Sequence, residues 1–233
     1  QRQIGLDVLV VGAGAAGLYL LHRLREAGFT VRVVETANGV GGTWYWNRYP
    51  GARCDVDSMF YSYQFDEDLQ QDWDWTERYA SQPEILSYID HVVDRLDLAR
   101  DIQLNTRVEA ATFDEQANDW IVETSTGQTV HARMFIMGVG CLSAVNTPHF
   151  EGYDDFAGPI YHPGRWPKEG VDFTGKCVGI IGTGSSAVQS LPLIAEQAAH
   201  LTIFQRTAYY VVPAQNHLLS RKQVAAIKSD YRG

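Results

Sequence analysis

Cysteine is sparse in this sequence. Cys54, Cys141 and Cys177 stand far apart and form no CxxC or CxxxxC pair, so spacing suggests neither a zinc site nor a redox-active disulfide. No metal is expected. Isolated thiols suit a reducing compartment, and a cytoplasmic protein is expected. Basic charge is scarce too: 19 Lys and Arg face 28 Asp and Glu, a formal net charge of -9. That balance disfavours nucleic acid and anionic membrane surfaces, so neither is expected as a partner. Long apolar runs are lacking. The longest, Val8 to Leu21, is interrupted by glycines and is shorter than the roughly 18 residues a membrane span needs. No signal-peptide pattern precedes it. The chain opens at Gln1 without a methionine and closes at residues 228–233 in a polar, helical-looking stretch. Truncation is therefore expected, chiefly on the C-terminal side.

What is present is core-forming. The chain has 233 residues, 45% of them hydrophobic, enough for one large domain or two modest ones. Residues 7–11, Asp-Val-Leu-Val-Val, read as a strand buried on both faces. Gly12-Ala13-Gly14-Ala15-Ala16-Gly17 follows, then a helical stretch from Leu18 to Ala27 closed by Gly28. A second apolar run, Phe29 to Val34, ends at Glu35, 23 positions after Gly12 (35 − 12). Strand, GxGxxG, helix, strand and acid at about 20 residues form a dinucleotide-binding fingerprint. Gly12 permits the tight turn, Gly14 the approach of a pyrophosphate and Gly17 close helix–strand packing. Glu35 accepts ribose hydroxyls and repels a 2′-phosphate, which selects FAD or NAD over NADP.

The pattern recurs. Cys177 to Ile181 is a second buried-strand run, followed by Gly182-Thr183-Gly184-Ser185-Ser186-Ala187, a helical stretch from Val188 to Ala199, and a strand from Leu201 to Phe204. Pro192 lies inside that helix, where a kink is expected. The place held by the acid in the first unit is read here as Arg206, 24 positions after Gly182 (206 − 182). A guanidinium suits a 2′-phosphate, and Thr207 adds a hydroxyl, so the second nucleotide is expected to be NADPH. One FAD fold and one NADPH fold imply hydride transfer from nicotinamide to flavin.

Between the two, residues 102–130 carry strand-like segments with turns at Asn118-Asp119 and Thr126-Gly127, and Arg133 to Val139 is a further strand returning to the first sheet. The expected organisation is an FAD-binding domain over 1–142, a linker over 143–170, an NADP-binding domain over 171–212 and the start of a helical insertion over 213–233. The fold class is α/β with two Rossmann-like dinucleotide-binding domains.

Two longer signatures narrow the chemistry. Residues 41–55 match GGxWxxxxYPGxxxD, and residues 156–167 match FxGxxxHxxxW with a following Pro. In these the sequence resembles the Baeyer–Villiger monooxygenases, and residues 75–86 (Trp-Thr-Glu-Arg-Tyr-Ala-Ser-Gln-Pro-Glu-Ile-Leu) resemble the phenylacetone monooxygenase branch. The resemblance spans about Asp7 to Pro213. It implies that NADPH and O2 are used to insert oxygen beside a ketone carbonyl through a C4a-peroxyflavin, giving an ester or lactone, with NADP+ remaining bound. It further implies that Thr43, Trp44, Asp55 and Tyr61 line the flavin and that Val108 lies near its adenine end. Arg53 and Asp55 face the nicotinamide, Asp55 orienting an arginine from a later segment. Gly182 to Ser186 and Gln189 hold the second nucleotide. His162, between Gly158 and Gly164, reads as a coupling residue in a hinge.

Blander roles exist for the same residues. Trp44 and Trp46 suit a core, Asp55 a helix N-cap before residues 56–59, and His162 a satisfied loop position. Rival functions also stand: an N- or S-oxygenase of the same two-nucleotide architecture, a disulfide reductase lacking its cysteine pair, and a nucleotide-binding module without turnover. The identity of the ketone and the oligomeric state are not legible.

Overall fold

The computed structural model describes residues 3–231. In chain order the regular elements are β1 (Gln3–Val11), α1 (Ala15–Glu26), β2 (Val31–Val34), α2 (Thr43–Trp46), α3 (Glu67–Asp72), α4 (Gln82–Arg95), β3 (Ile102–Gln103), β4 (Val108–Asp114), β5 (Asp119–Thr124), β6 (Thr129–Met137), β7 (Cys177–Ile181), α5 (Ser185–Ala195), β8 (His200–Phe204) and α6 (Arg221–Ser229). They divide into two units that are not contiguous in sequence: Gln1–Tyr45 with Leu86–Ala144, and Trp46–Ile85 with Val145–Gly233.

The first unit holds a six-stranded sheet in the order β3-β2-β1-β6-β5-β4. β1 pairs in parallel with β2 and with β6, and β2 in parallel with β3. β4, β5 and β6 form an antiparallel meander. Its turns use left-handed backbone at Asn118 and Gly127, as polar turn residues and glycine allow. The central strand carries Val8, Leu9 and Val10 with no exposed surface, because α1 covers it and neighbours flank it on both edges. Leu9, Val34, Val122, Val130 and Ala132 form one buried cluster, with Val108, Trp120 and Phe135 against it. Each such fully buried aliphatic side chain contributes about 1.5–3 kcal/mol. α1 starts at the glycine loop and ends one residue before Ala27, with Gly28 at φ +85° continuing the chain. β6 runs Thr129–Met137, earlier than the expected 133–139, since its pairing with β1 begins at Gln3↔Thr129.

The second unit holds the parallel pair β7–β8 joined by α5. α5 ends at Ala195, short of the expected Ala199, and continues through Pro192. The expectation that these strands are buried on both faces is not met: Ile181, Ile203 and Phe204 are exposed. A two-stranded sheet with one covering helix has no second layer to bury them. The remaining segments are short. α3 is N-capped by Asp66, whose carboxylate accepts from Leu69 N–H, and α6 starts with a capping box of Ser220 and Gln223. Isolated bridges join Arg53 to Ser81 and Glu77 to Leu218.

Candidate functional site: two glycine loops and the segments around them

In the first unit, Gly12 follows β1 at φ +102°, and its N–H donates to Val34 O at 2.8 Å. A Cβ on Gly12 would lie 2.7 Å from Gly138 O, and one on Gly17 would lie 1.9 Å from Gly12 O. Backbone therefore packs on backbone, as close helix–strand contact demands. Gly14 is the N-cap of α1 and supplies no side-chain cap, at the end of the helix that favours an anion. The turn carrying Thr43 and Trp44 sits on this loop. Gly41 N–H donates to Ala13 O at 2.9 Å, and a Cβ on Gly42 would come within 2.9 Å of Gly14 Cα. Thr43 is exposed and Trp44 half-buried. Val108 opens β4 and packs on the core cluster.

Glu35 ends β2 and is 7% exposed. Its two carboxylate oxygens accept from Ala13 N–H and Ala37 N–H, each at 2.8 Å. The acid thus fixes the glycine loop and keeps one lone pair per oxygen for a ribose hydroxyl.

The second loop has nearly the same backbone. Gly182 is at φ +96°, its N–H donates to Phe204 O at 2.8 Å, and Gly184 is the uncapped N-cap of α5. That hydrogen bond corrects one alignment. Gly12 bonds the carbonyl just before Glu35, so the counterpart of Glu35 is Gln205, and Arg206 is one residue beyond it. Gln205 Nε2 donates to Thr183 Oγ1 at 2.9 Å, joining the positions equivalent to Glu35 and Ala13 with the donor reversed and through side chains alone. Arg206 and Thr207 are exposed. A Cβ on Gly182 or Gly184 would meet nothing within 4 Å. The loop has open room at a helix start without a side-chain cap, and this fits an anionic dinucleotide.

Gln189 of α5 donates from Nε2 to Arg53 O at 3.1 Å and accepts from Tyr49 OH at 2.9 Å. Both ends of its amide are therefore held by the 49–53 loop, and a Cβ on Gly51 would lie 2.3 Å from Gln189 O. Arg53 Nη1 donates to Glu77 Oε2 at 2.8 Å. Asp55 is exposed. It does not cap the following 3-10 helix Ser58–Tyr61, whose N-cap is Asp57. Burial, then the neighbouring Cys54 and Asp55, push the Tyr61 hydroxyl up to about 12. Burial likewise pushes the Cys54 thiol up. His162 N-caps the 3-10 helix Pro163–Arg165, its Nδ1 accepting from Gly164 N–H at 3.1 Å. Gly164 is confined by packing: a Cβ there would lie 3.0 Å from Val145 Cγ2. Tyr49, Glu77 and Asn216 join this arrangement without a sequence motif of their own beyond the tyrosine of the YPG signature.

With this geometry in view, the comparisons with known proteins are decisive. The model of the pyridine nucleotide-disulphide oxidoreductase family matches residues 9–220. The chain belongs to that family. It is 49% identical over 226 residues to a Baeyer–Villiger monooxygenase of Pseudooceanicola batsensis, covering 97% of this chain and 41% of that protein. It is 48% identical over 226 residues to a phenazine N-monooxygenase of Lysobacter antibioticus, covering 97% of this chain and 42% of that protein. A solved structure of oxidized steroid monooxygenase bound to NADP superposes with a TM-score of 0.93 at 57% identity, covering 97% of this chain and 43% of the other. The chain thus spans less than half the length of the relatives it matches. Cys54, Cys141 and Cys177 are free. No helix among the described residues is long and apolar enough to cross a membrane.

Proposed function

We propose that the protein of which this chain is a part oxidises a ketone to an ester or lactone with NADPH and O2, holding FAD at the first glycine loop and NADPH at the second. The observation that carries this reading is the pair of loops with one backbone and opposite chemistry at the strand end: a buried, hydrogen-bonded Glu35 and an exposed Arg206. The acid suits a ribose with free hydroxyls, and the guanidinium suits a 2′-phosphate. When bound, FAD supplies oxygen activation and NADPH the reducing equivalents.

The chain's own residues bind and orient. Backbone N–H groups at the start of each helix donate to a pyrophosphate. Thr43 and Trp44 stand beside the first loop, ready to meet the flavin. Asp55 offers an exposed carboxylate next to Arg53, and Tyr61 keeps its proton throughout the physiological range. Arg53 and Asp55 are assigned to the nicotinamide side, Gln189 to holding the Arg53 loop on the coenzyme helix, and His162 to coupling. Domain limits at 142, 170 and 212 are retained as functional divisions. The free thiols support a location in the reducing cytoplasm.

A second reading is favoured by one observation, the 48% identity to a phenazine N-monooxygenase. One experiment separates the two. The full-length protein is supplied with NADPH, isotopically labelled O2 and either a panel of aryl, cyclic and long-chain ketones or a panel of aromatic N-heterocycles. An ester carrying one labelled oxygen supports the proposal. N-oxide without ester moves the assignment to the second reading, and no NADPH consumption defeats both.

A further inference from the structure

Three loop segments of the second unit converge on a single carboxylate. Arg53 Nη1 donates to Glu77 Oε2 at 2.8 Å and to Tyr79 O at 3.2 Å. Asn216 Nδ2 donates to the same Glu77 oxygen and to Tyr79 O at 3.4 Å, while its Oδ1 accepts from Tyr79 N–H at 2.9 Å. Backbone bridges Arg53↔Ser81 and Glu77↔Leu218 hold the three strands of chain in register. On its other side, the carbonyl of Arg53 is held by Gln189 of α5, the helix that starts at the second glycine loop. The guanidinium is thus fixed from both ends, its side chain by Glu77 and its backbone by the coenzyme helix.

Two features say what such a guanidinium is for. Arginine has five N–H donors, and here the bonds to protein all leave from Nη1; Nε and Nη2 make none among the described residues. The charge is also neutralised by a half-buried carboxylate at 2.8 Å. A paired guanidinium donates directional hydrogen bonds with little net field, which suits a neutral acceptor. Arg206 makes no ion pair among the described residues and suits a phosphate. We infer that Glu77, supported by Asn216, is a positioning residue that aims the remaining Arg53 donors at the neutral carboxamide end of the nicotinamide coenzyme. This rests on the assignment of Arg53 to the nicotinamide side given above.

The test uses the full-length, FAD-loaded protein and calorimetric titration with two ligands: NADP+ and 2′,5′-ADP, which keeps the phosphate-bearing half and lacks nicotinamide. Glu77→Gln is expected to weaken NADP+ about tenfold, the size of a charge-assisted contact, and to leave 2′,5′-ADP within about twofold. In an Arg53→Met background, adding Glu77→Gln should change NADP+ affinity no further, because both substitutions remove one coupled element. Asn216→Ala, which leaves the ion pair in place, should give the same ligand pattern at smaller size. Equal weakening of both ligands, unchanged NADP+ affinity, or additive losses in the double variant would each overturn the inference while leaving the two-nucleotide reading intact. Wild-type protein that binds 2′,5′-ADP and NADP+ equally well would show that the nicotinamide end is not held by the protein, and would remove Arg53 from the site. Wild-type protein that binds neither ligand would defeat the two-nucleotide reading and this inference together.

Discussion

The two glycine loops differ in what surrounds them far more than in how they are drawn. Gly12 and Gly182 sit at φ +102° and +96°, and each donates its N–H to the last carbonyl of the following strand. Yet a Cβ on Gly12 would lie 2.7 Å from Gly138 O, while one on Gly182 would meet nothing within 4 Å. The first loop is demanded by the fold around it. In the second, Gly182 is required by its positive φ, and nothing among the described residues crowds Gly184. The same motif is therefore packed from within in one unit and open in the other.

The largest effect that sharpens this contrast comes from alanine substitutions at Gly17 and Gly184. Gly17→Ala forces α1 away from β1 and is expected to cost about 3 kcal/mol or more, with loss of bound FAD. Gly184→Ala keeps an allowed extended φ of -73° and should cost about 1 kcal/mol or less, while weakening NADP+ severely. Chemical denaturation beside FAD and NADP+ titrations reads all of these. Equal destabilisation by the two substitutions would erase the distinction.

Next in size is Glu35→Ala. It leaves the buried N–H groups of Ala13 and Ala37 without their acceptor, a loss of about 2–6 kcal/mol at about 1–3 kcal/mol for each stranded donor. Glu35→Gln should recover only part of this, since an amide has one acceptor oxygen where two are used. A Gln variant as stable as wild type would show that the acid serves ribose alone.

The smallest effect concerns Tyr61. Its hydroxyl is pushed up to about 12, by burial first and then by Cys54 and Asp55, against about 10 for a free tyrosine. A raised pKa favours the neutral phenol in the folded state. Its contribution is therefore present below pH ~10 and lost as pH rises from there toward about 12. In alkaline difference spectra, the absorbance step removed by Tyr61→Phe should lie well above pH ~10. A step at the ordinary position would mean that Tyr61 is open to solvent.

Much of this site can be read from local pattern. Gly12, Gly14, Gly17 and Glu35, and again Gly182 and Gly184, follow from spacing between apolar runs, because the turn, the helix start and the strand end are all local events. The turns at Asn118 and Gly127 follow from residues that tolerate positive φ. α4 is not among the elements expected from the sequence, although Ile85, Tyr88, Ile89, Val92 and Val93 stand at helical spacing and Pro83 lies in its first turn. The strand-end position of the second unit is read from the sequence as Arg206, 24 residues after Gly182, where the count of 23 from the first unit falls on Gln205. The hydrogen bond from Gly182 to Phe204 makes Gln205 the counterpart of Glu35. Contacts such as Arg53 with Glu77, or Asn216 with Tyr79, join irregular segments with no period to announce them. The grouping of residues 46–85 with 145–233 is of the same kind, since long-range pairing between loops leaves no trace in local composition. The apolar runs in β7 and β8 predicted burial that two strands and one helix do not provide.

The central claim is that the two units select their nucleotides by the chemistry at the strand end, with Arg206 choosing the 2′-phosphate. Replacing it with the opposite charge, Arg206→Glu in the full-length protein, tests this most directly through the ratio of kcat/KM for NADPH to that for NADH. Removing a charge-assisted contact and adding a like-charge repulsion should each shift that ratio about tenfold or more. The account predicts that NADH becomes the preferred coenzyme while FAD content and the NADH rate stay near wild type. A variant that still prefers NADPH, or that loses both coenzymes equally, would contradict it.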